Sequence, residues 1–464
     1  MDRREAMKKL GTGAVVAAGT IAAGTASAQT PDQEASKDVT NPYGGGPGTG
    51  VSLPDYFRPT KYVSDNNFYY PGTEDLGPDE MRVSFVGSCP WPPRRDQAGT
   101  CIMVELGNGQ NFFFDLGSGA MRNILAMGVP PALVNDIFIT HLHVDHYADL
   151  PYMLPFTASA GRFKPLRVTG PSGRTPDLGT KAMVDNMKRM MKWHLEEFDT
   201  LPIGDGYEVE VNEFDWRKEN EVCYQKEGVT VRHWPRSHGK DGASAYRLDW
   251  EETGLSFVWT GDGRPDELTA KYAKGADVFV TEMQSDLGKL MELKYGYNQA
   301  LYNFIIDTHH TPHYAAGYLF KEVNPRIGMV CHLEYEPSLV NEMSAGIRAH
   351  WGGLFAYGAP DVVVANVTKE AVWVRDAVLP ELGTVSRPTR PEQIIEMFGQ
   401  DGKLPDEIVV PTPRIPREQQ QAPFLRENEI DPATYTPEDV KRDLVLEMDG
   451  MTLNVEQMKK SRLR

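Results

Sequence analysis

Three imidazoles and a carboxylate fall within six residues of this chain: His141, His143, Asp145 and His146, directly after the apolar segment Asn135 to Ile139. Imidazole and carboxylate are ligands for zinc, iron, nickel and copper, and a carboxylate beside them can bind a second ion or orient a water. Alternate residues of an extended segment point the same way, so His141 and His143 can reach one ion together. Asp145 and His146 then lie on the turn that follows. With a strand delivering it, such a cluster is a specific signal for a metal centre.

The elements that must place this cluster begin at Met81. Met81 to Gly87, Thr100 to Leu106 and Asn111 to Leu116 read as strands, with Gly107-Asn108-Gly109 as a turn between the last two. Met121 to Met127 reads as a helix, and Asp136 to Thr140 as the buried strand ending in ligands. Later strands are expected at Leu166 to Gly170, Leu255 to Trp259 and Ile327 to Cys331. Tyr314 to Glu322 and Pro337 to Trp351 read as helices, and Asp361 to Val367 with Ala371 to Arg375 as a closing hairpin. Thr180 to Phe198 reads as one amphipathic helix with a methionine stripe, Met183, Met187, Met190 and Met191, that suits core or subunit contact. The pattern is α/β with the site at strand ends, where loops can reach it.

Composition frames the rest. The chain has 464 residues, ordinary hydrophobic and charged fractions for a soluble domain, and a net charge of -17. A field of that sign repels polyphosphate, so no nucleic-acid partner is expected. Cys89, Cys101, Cys223 and Cys331 show no CxxC spacing and build neither a metal knuckle nor a disulfide framework. At the N-terminus, Arg3-Arg4, an apolar run from Leu10 to Ala23 and Ala26-Ser27-Ala28 form a basic start, an h-region and a small-x-small cleavage site. The paired arginines resemble a twin-arginine signal, so residues 1–28 are expected to be removed on export to the periplasm or beyond, leaving no membrane anchor. Residues 29–80 read as a linker followed by an aromatic arm, 81–379 as the catalytic domain, and 380–464 as a Pro-rich C-terminal arm. The two arms could join copies of the chain in a homo-oligomer.

Six ordered motifs then carry a resemblance: FFFDLGSG (112–119), THLHVDH (140–146), SHGKDGASAYRLD (237–249), TGDGRPD (260–266), HHTPHYAA (309–316) and MVCHLE (329–334). Together they resemble the metallo-β-lactamase fold superfamily, in the branch that includes ribonuclease Z and arylsulfatase-like hydrolases. The resemblance covers about residues 81–376 and implies a four-layer αββα sandwich, here with N- and C-terminal extended arms. It further implies His141, His143 and His238 on one divalent ion, Asp145, His146 and His332 on a second, and Asp262 bridging them. Zinc is expected first, with manganese or iron as alternatives.

The residue types support this set. Two ions held close together polarise a scissile group and hold a hydroxide at neutral pH, so no serine or cysteine nucleophile is needed. Asp115 reads as a buried hydrogen-bonding residue near the site. By alignment on Ala315-Ala316, His309 takes the place of the branch's mobile histidine, with Glu282 as its partner and His310 as the alternative. Asp145 and His309 with Glu282 are thus the catalytic candidates, and His194, His233 and His350 read as packing or surface residues.

The long RNA-gripping arm of ribonuclease Z is absent between His238 and Asp262, and the basic loop after the first strand is altered at residues 89–96. Arg94, Arg95, Arg236 and Lys240 could form an anion-binding rim, with Trp91 and Trp234 as apolar walls. The expected function is therefore an exported dinuclear hydrolase using a metal-bound hydroxide to cleave a small sulfate, phosphate or carboxylic ester. The alternatives are a ribonuclease Z-like phosphodiesterase, a lactonase, or a mononuclear-iron oxidoreductase on the same fold. A narrower resemblance, in residues 233–242 and 170–176, is to exported hydrolases carrying a guanitoxin-biosynthesis name.

Overall fold

The computed structural model describes residues 68–379, apart from 72–73, 75, 199–202, 240–241 and several positions between 286 and 297. The expected signal segment, the linker and the C-terminal arm lie outside the described residues, as does Lys240. Two sheets carry the domain. The first has nine strands in the order β1 (Phe68–Tyr69), β16 (Val372–Ala377), β15 (Val363–Val367), β2 (Met81–Gly87), β3 (Cys101–Leu106), β4 (Asn111–Phe114), β5 (Asp136–Phe138), β6 (Leu166–Pro171) and β7 (Val209–Phe214). The second has seven, β14 (Phe355–Tyr357), β13 (Ile327–Cys331), β12 (Val278–Glu282), β11 (Leu255–Trp259), β10 (Ser244–Trp250), β9 (Val229–Pro235) and β8 (Glu221–Lys226).

Strand side chains alternate between faces, and here both faces are buried. In β4 (Asn111–Phe114), Phe112 and Phe114 enter the core between the sheets, whereas Phe113 faces the helices outside. The other sheet repeats this rule. In β12 (Val278–Glu282), Val278 and Val280 point inward and Phe279 outward. The first sheet's outer face is covered by α1 (Ala120–Ala126), α2 (Leu150–Ser159) and α3 (Thr180–Met190) through Met121, Ile124, Met153, Leu154, Val184 and Met187. Against the second sheet pack α7 (His313–Val323) and α8 (Val340–Arg348) through Leu319, Phe320, Val323, Met343 and Ile347. The result is the four-layer αββα sandwich. Phe114, Phe138, Tyr246 and Phe257 interlock at ring separations of 5.0 to 5.8 Å in its central layer. Truncating such a buried ring costs about 3–5 kcal/mol.

The aromatic arm ends inside the first sheet, not before it: β1 (Phe68–Tyr69) pairs in parallel with β16 (Val372–Ala377), and Tyr69 is buried. The expected single helix over 180–198 is two helices, α3 and α4 (Lys192–Glu197), broken at Met191, whose φ of -88° and ψ of 3° leave the helical region. Its methionines divide as well: Met187 is buried and Met190 exposed.

Strand direction puts the ligands at one edge. β11 (Leu255–Trp259), β12 and β13 (Ile327–Cys331) run parallel, and β9 (Val229–Pro235) shares their direction because both β9 and β11 are antiparallel to β10 (Ser244–Trp250). In the first sheet β4, β5 (Asp136–Phe138) and β6 (Leu166–Pro171) run parallel to one another. The sheets are joined near this edge: Ser244 N–H donates to Thr140 O at 2.9 Å, and Tyr246 Oη–H to Ile139 O at 2.7 Å.

Candidate metal centre

His141 and His143 follow β5, Asp145 and His146 lie in a single 3-10 turn, His238 follows β9, Asp262 follows β11, Glu282 ends β12, and His332 follows β13. The structure brings all eight together. Asp262 Oδ2 lies 3.2 Å from His332 Nε2, 3.4 Å from His146 Nε2, 3.6 Å from His238 Nε2 and 3.9 Å from His141 Nε2. His143 Nδ1 stands 3.0 Å from both His141 Nε2 and His238 Nε2. Asp145 Oδ2 is 3.3 Å from His332 Nε2 and 3.7 Å from His146 Nε2. Two clusters thus adjoin at Asp262: His141, His143 and His238 on one side, Asp145, His146 and His332 on the other.

Outer partners choose the tautomers. Asp115, wholly buried and at a φ of 61°, accepts from Thr140 N at 2.8 Å, His146 Nδ1 at 2.9 Å and Trp259 Nε1 at 2.8 Å. That bond leaves His146 Nε2 as a lone pair facing Asp262. His238 Nδ1 donates to His309 O at 2.6 Å, which leaves its Nε2 for the centre. This is the way metal-binding histidines are held. His332, whose φ of 49° lies in the left-handed region, leaves β13 by a sharp turn into the cluster.

The donor set fits divalent ions. Asp262 Oδ1 and His146 Nε2 are buried with no hydrogen-bond partner, an expensive arrangement for polar atoms that a cation removes. Electrostatics point the same way. Burial opposes charge on the His332 ring, yet Asp262 and the hydrogen bonds that the ring donates to Asp145 and Glu282 push its pKa up to about 10. Burial likewise works against Asp145, and the neighbouring His146 and His332 outweigh it, holding the carboxylate well below its usual range. Positive charge is favoured on this side of Asp262, whereas burial lowers the proton affinity of His141, His143 and His238 on the other side and keeps those rings neutral, as ligands must be.

Glu282 is the inner carboxylate of the edge. Its Oε1 accepts from Gly263 N at 2.5 Å, and its Oε2 accepts from His310 Nδ1 at 2.6 Å. The expectation that His309 partners Glu282 is therefore corrected: His310, the alternative, does. The reason is local. The helix α6 (Gln299–His309) ends at His309, and His310 is extended, with φ -130° and ψ 169°, which swings its ring to Glu282. His309 instead bonds Thr308 Oγ1 through Nδ1 and reaches His238 through its carbonyl.

The expected anion rim does not assemble. Trp234 is wholly buried beneath α5 (Glu267–Tyr272), against Tyr272, and donates Nε1–H to Thr269 Oγ1 at 3.0 Å. Arg236 is buried and paired with Asp266, and its Nη2 donates to Gly263 O at 2.9 Å. It clamps the loop that carries Asp262. Arg94 pairs with Glu336 at 3.0 Å, while Arg95 and Trp91 are exposed. Arg264 was missed by the sequence reading. It is exposed two residues after Asp262, and its backbone N–H donates to Ser237 O at 2.9 Å beside His238. The Gly-Asp-Gly-Arg turn was the available signal. Of the remaining histidines, His233 is buried against Phe214, with ring centroids 3.7 Å apart, and His350 is exposed. The four cysteines are free and buried.

The model of the metallo-beta-lactamase superfamily matches residues 94–157, the segment holding the first four ligands. Ribonuclease Z of Methanocaldococcus jannaschii is 30% identical over 159 residues, 34% of this chain and 44% of that protein. Ribonuclease Z of Mycobacterium marinum is 27% identical over 283 residues, 60% of this chain and 92% of that protein. Among solved structures, human tRNase Z, short form, overlays with a TM-score of 0.45 and 17% identity, covering 61% of this chain and 98% of that one. The chain spans less than half the length of the first curated relatives it matches. These relatives are named as ribonucleases, which overturns the expectation that no nucleic acid is a partner. That expectation rested on net charge, a whole-chain sum that says little about the field at one edge of a sheet. Residues 94–157 thus mark a metallo-beta-lactamase superfamily domain, and its two homologues above are ribonucleases Z.

Proposed function

We propose that this chain is a two-metal phosphodiesterase of ribonuclease Z type, with zinc at both positions and a phosphodiester, RNA included, as its substrate class. The observation that carries the reading is the Glu282–His310 pair set against the ring of seven ligand residues, with His310 Nδ1 4.0 Å from Asp262 Oδ2. His141, His143 and His238 would hold one ion, Asp145, His146 and His332 the other, and Asp262 both. When bound, the ions neutralise phosphate charge and supply a nucleophile at neutral pH.

The protein's own groups supply the proton. Burial lowers the affinity of the His310 ring for a proton, but the Glu282 carboxylate and Asp262 more than offset this, so its pKa is raised. Glu282 fixes Nδ1–H, which leaves Nε2 to face substrate and to protonate the departing oxygen. Arg264, exposed two residues after Asp262, is a candidate cation for a phosphate flanking the scissile one. The small-ester reading lacks support of this kind among the relatives.

The test is a substrate panel for metal-loaded protein: a tRNA-like RNA with a 3′ extension, a bis-aryl phosphodiester, an aryl sulfate and a lactone, each with wild type and His143→Ala. Phosphodiester turnover lost in His143→Ala supports the proposal. Turnover confined to the sulfate or the lactone overturns it.

A further inference from the structure

The helix α6 buries only Ile306, while Leu301, Phe304 and Ile305 remain exposed. Core packing therefore fixes it weakly, yet its C-terminal end delivers two groups to the metal edge: the His309 carbonyl, which accepts from His238 Nδ1, and the His310 ring, which meets Glu282. Something other than burial must hold that end in place. Gly239 follows His238 directly and has a φ of 65°, and a Cβ built on it would overlap His309 Nε2 and Cδ2. The backbone of the His238 loop thus lies flat against the imidazole of His309. That ring is itself fixed, because Nδ1 bonds Thr308 Oγ1 at 2.6 Å and Thr308 Oγ1 donates to Phe304 O at 2.5 Å, within α6. The rings of His238 and His309 meet edge to face, with centroids 5.7 Å apart.

We propose that Gly239 and His309 form a latch that seats the end of α6 on His238, with His309 as a positioning residue that acts through its carbonyl and its ring packing. The latch orients His238 Nε2 toward His143 and Asp262, and through the adjoining residue it brings His310 to Glu282. Glycine at 239 serves two ends: it adopts the left-handed backbone without cost, and it leaves room for the ring. A displaced latch would shift an ion ligand and the proton donor together. The proposal rests on the two-ion reading of the site.

The experiment titrates metal-free full-length protein with Zn²⁺ by calorimetry, and with Co²⁺ by visible absorption, for wild type, Gly239→Ala, His309→Ala and the double variant. Circular dichroism of each metal-free form reports on folding. Wild type is expected to take up two ions. Gly239→Ala should weaken one of them by about 10–100-fold, the usual effect of disturbing a ligand's outer partner, and leave the other in place. His309→Ala, which keeps the carbonyl and loses the ring, should weaken the same ion less. The double variant should regain most of the loss, because the added methyl no longer meets a ring. Two outcomes overturn the latch alone: wild-type uptake by both single variants, or a double variant as weak as Gly239→Ala, which would assign the loss to backbone strain at 239. Wild-type protein that binds fewer than two ions would overturn the two-ion reading itself, and the latch with it.

Discussion

Arg236→Met separates two accounts of one arginine. As a rim group, Arg236 would touch anionic substrates. In the structure it is buried beneath the loop bearing Asp262, paired with Asp266, and donates to Thr269 Oγ1 at 3.0 Å and Gly263 O at 2.9 Å. Methionine keeps the volume and removes all three bonds. Breaking one side of a buried pair costs about 3–5 kcal/mol. Asp266 is partly exposed and keeps its cap bond from Thr269 N at 2.7 Å, so the lower end, about 3 kcal/mol, applies. For a domain of about 300 residues that is a fall in Tm of roughly 5 °C, readable by thermal melting and by a urea midpoint. Zinc uptake should weaken too, because Gly263 loses a clamp beside Asp262, and kcat/KM should fall alike for anionic and neutral substrates. A variant that melts with the wild type and loses only anionic substrates would refute the clamp.

Other substitutions bear on the same edge. Asp115→Asn replaces one acceptor oxygen by a donor amid Thr140 N, Thr140 Oγ1, His146 Nδ1 and Trp259 Nε1. It should lower stability by about 2 kcal/mol or more and zinc affinity by about 10–100-fold, and unchanged titration and melting would count against it. His310→Ala should cut kcat for a phosphodiester by about 10²–10⁴ with zinc still bound, and a change confined to KM would remove His310 from proton transfer. His233 contributes to acid sensitivity. Burial lowers its pKa to about 4, against about 6.5 unfolded, so the unfolded chain binds more protons between these values. Its contribution is complete above about pH 6.5 and is lost as pH falls toward about 4, worth roughly 3 kcal/mol. His233→Phe, which can still stack on Phe214, should flatten the urea-midpoint slope in that window, and an identical slope would be the contrary result.

Much of this centre was legible because strand alternation and the tight turn confine His141, His143, Asp145 and His146 to one neighbourhood whatever the tertiary detail. The inward and outward phenylalanines of β4 were equally readable as a strand, though the pairing of its neighbours was not. β15 (Val363–Val367) comes late in the chain yet lies between β16 and β2, an arrangement that no local pattern encodes. Asp262 and His332 gained meaning only in company, since a Gly-Asp-Gly turn and a strand-end histidine are each common. Arg236 read as part of an anion-binding rim because its burial depends on Asp266 and Gly263, contacts formed across a turn and a different strand. His309 and His310 could not be told apart because the helix end that separates them is set by where Glu282 stands. The break at Met191 had no glycine or proline to announce it.

The central claim is tested most directly by adding zinc in measured equivalents to the metal-free chain and following hydrolysis of a bis-aryl phosphodiester. The account expects turnover to rise to a plateau at two ions per chain, with Asp262→Ala failing to reach it. A maximum at one ion, iron-dependent oxygen uptake in place of hydrolysis, or no phosphodiester turnover at any zinc level would contradict it.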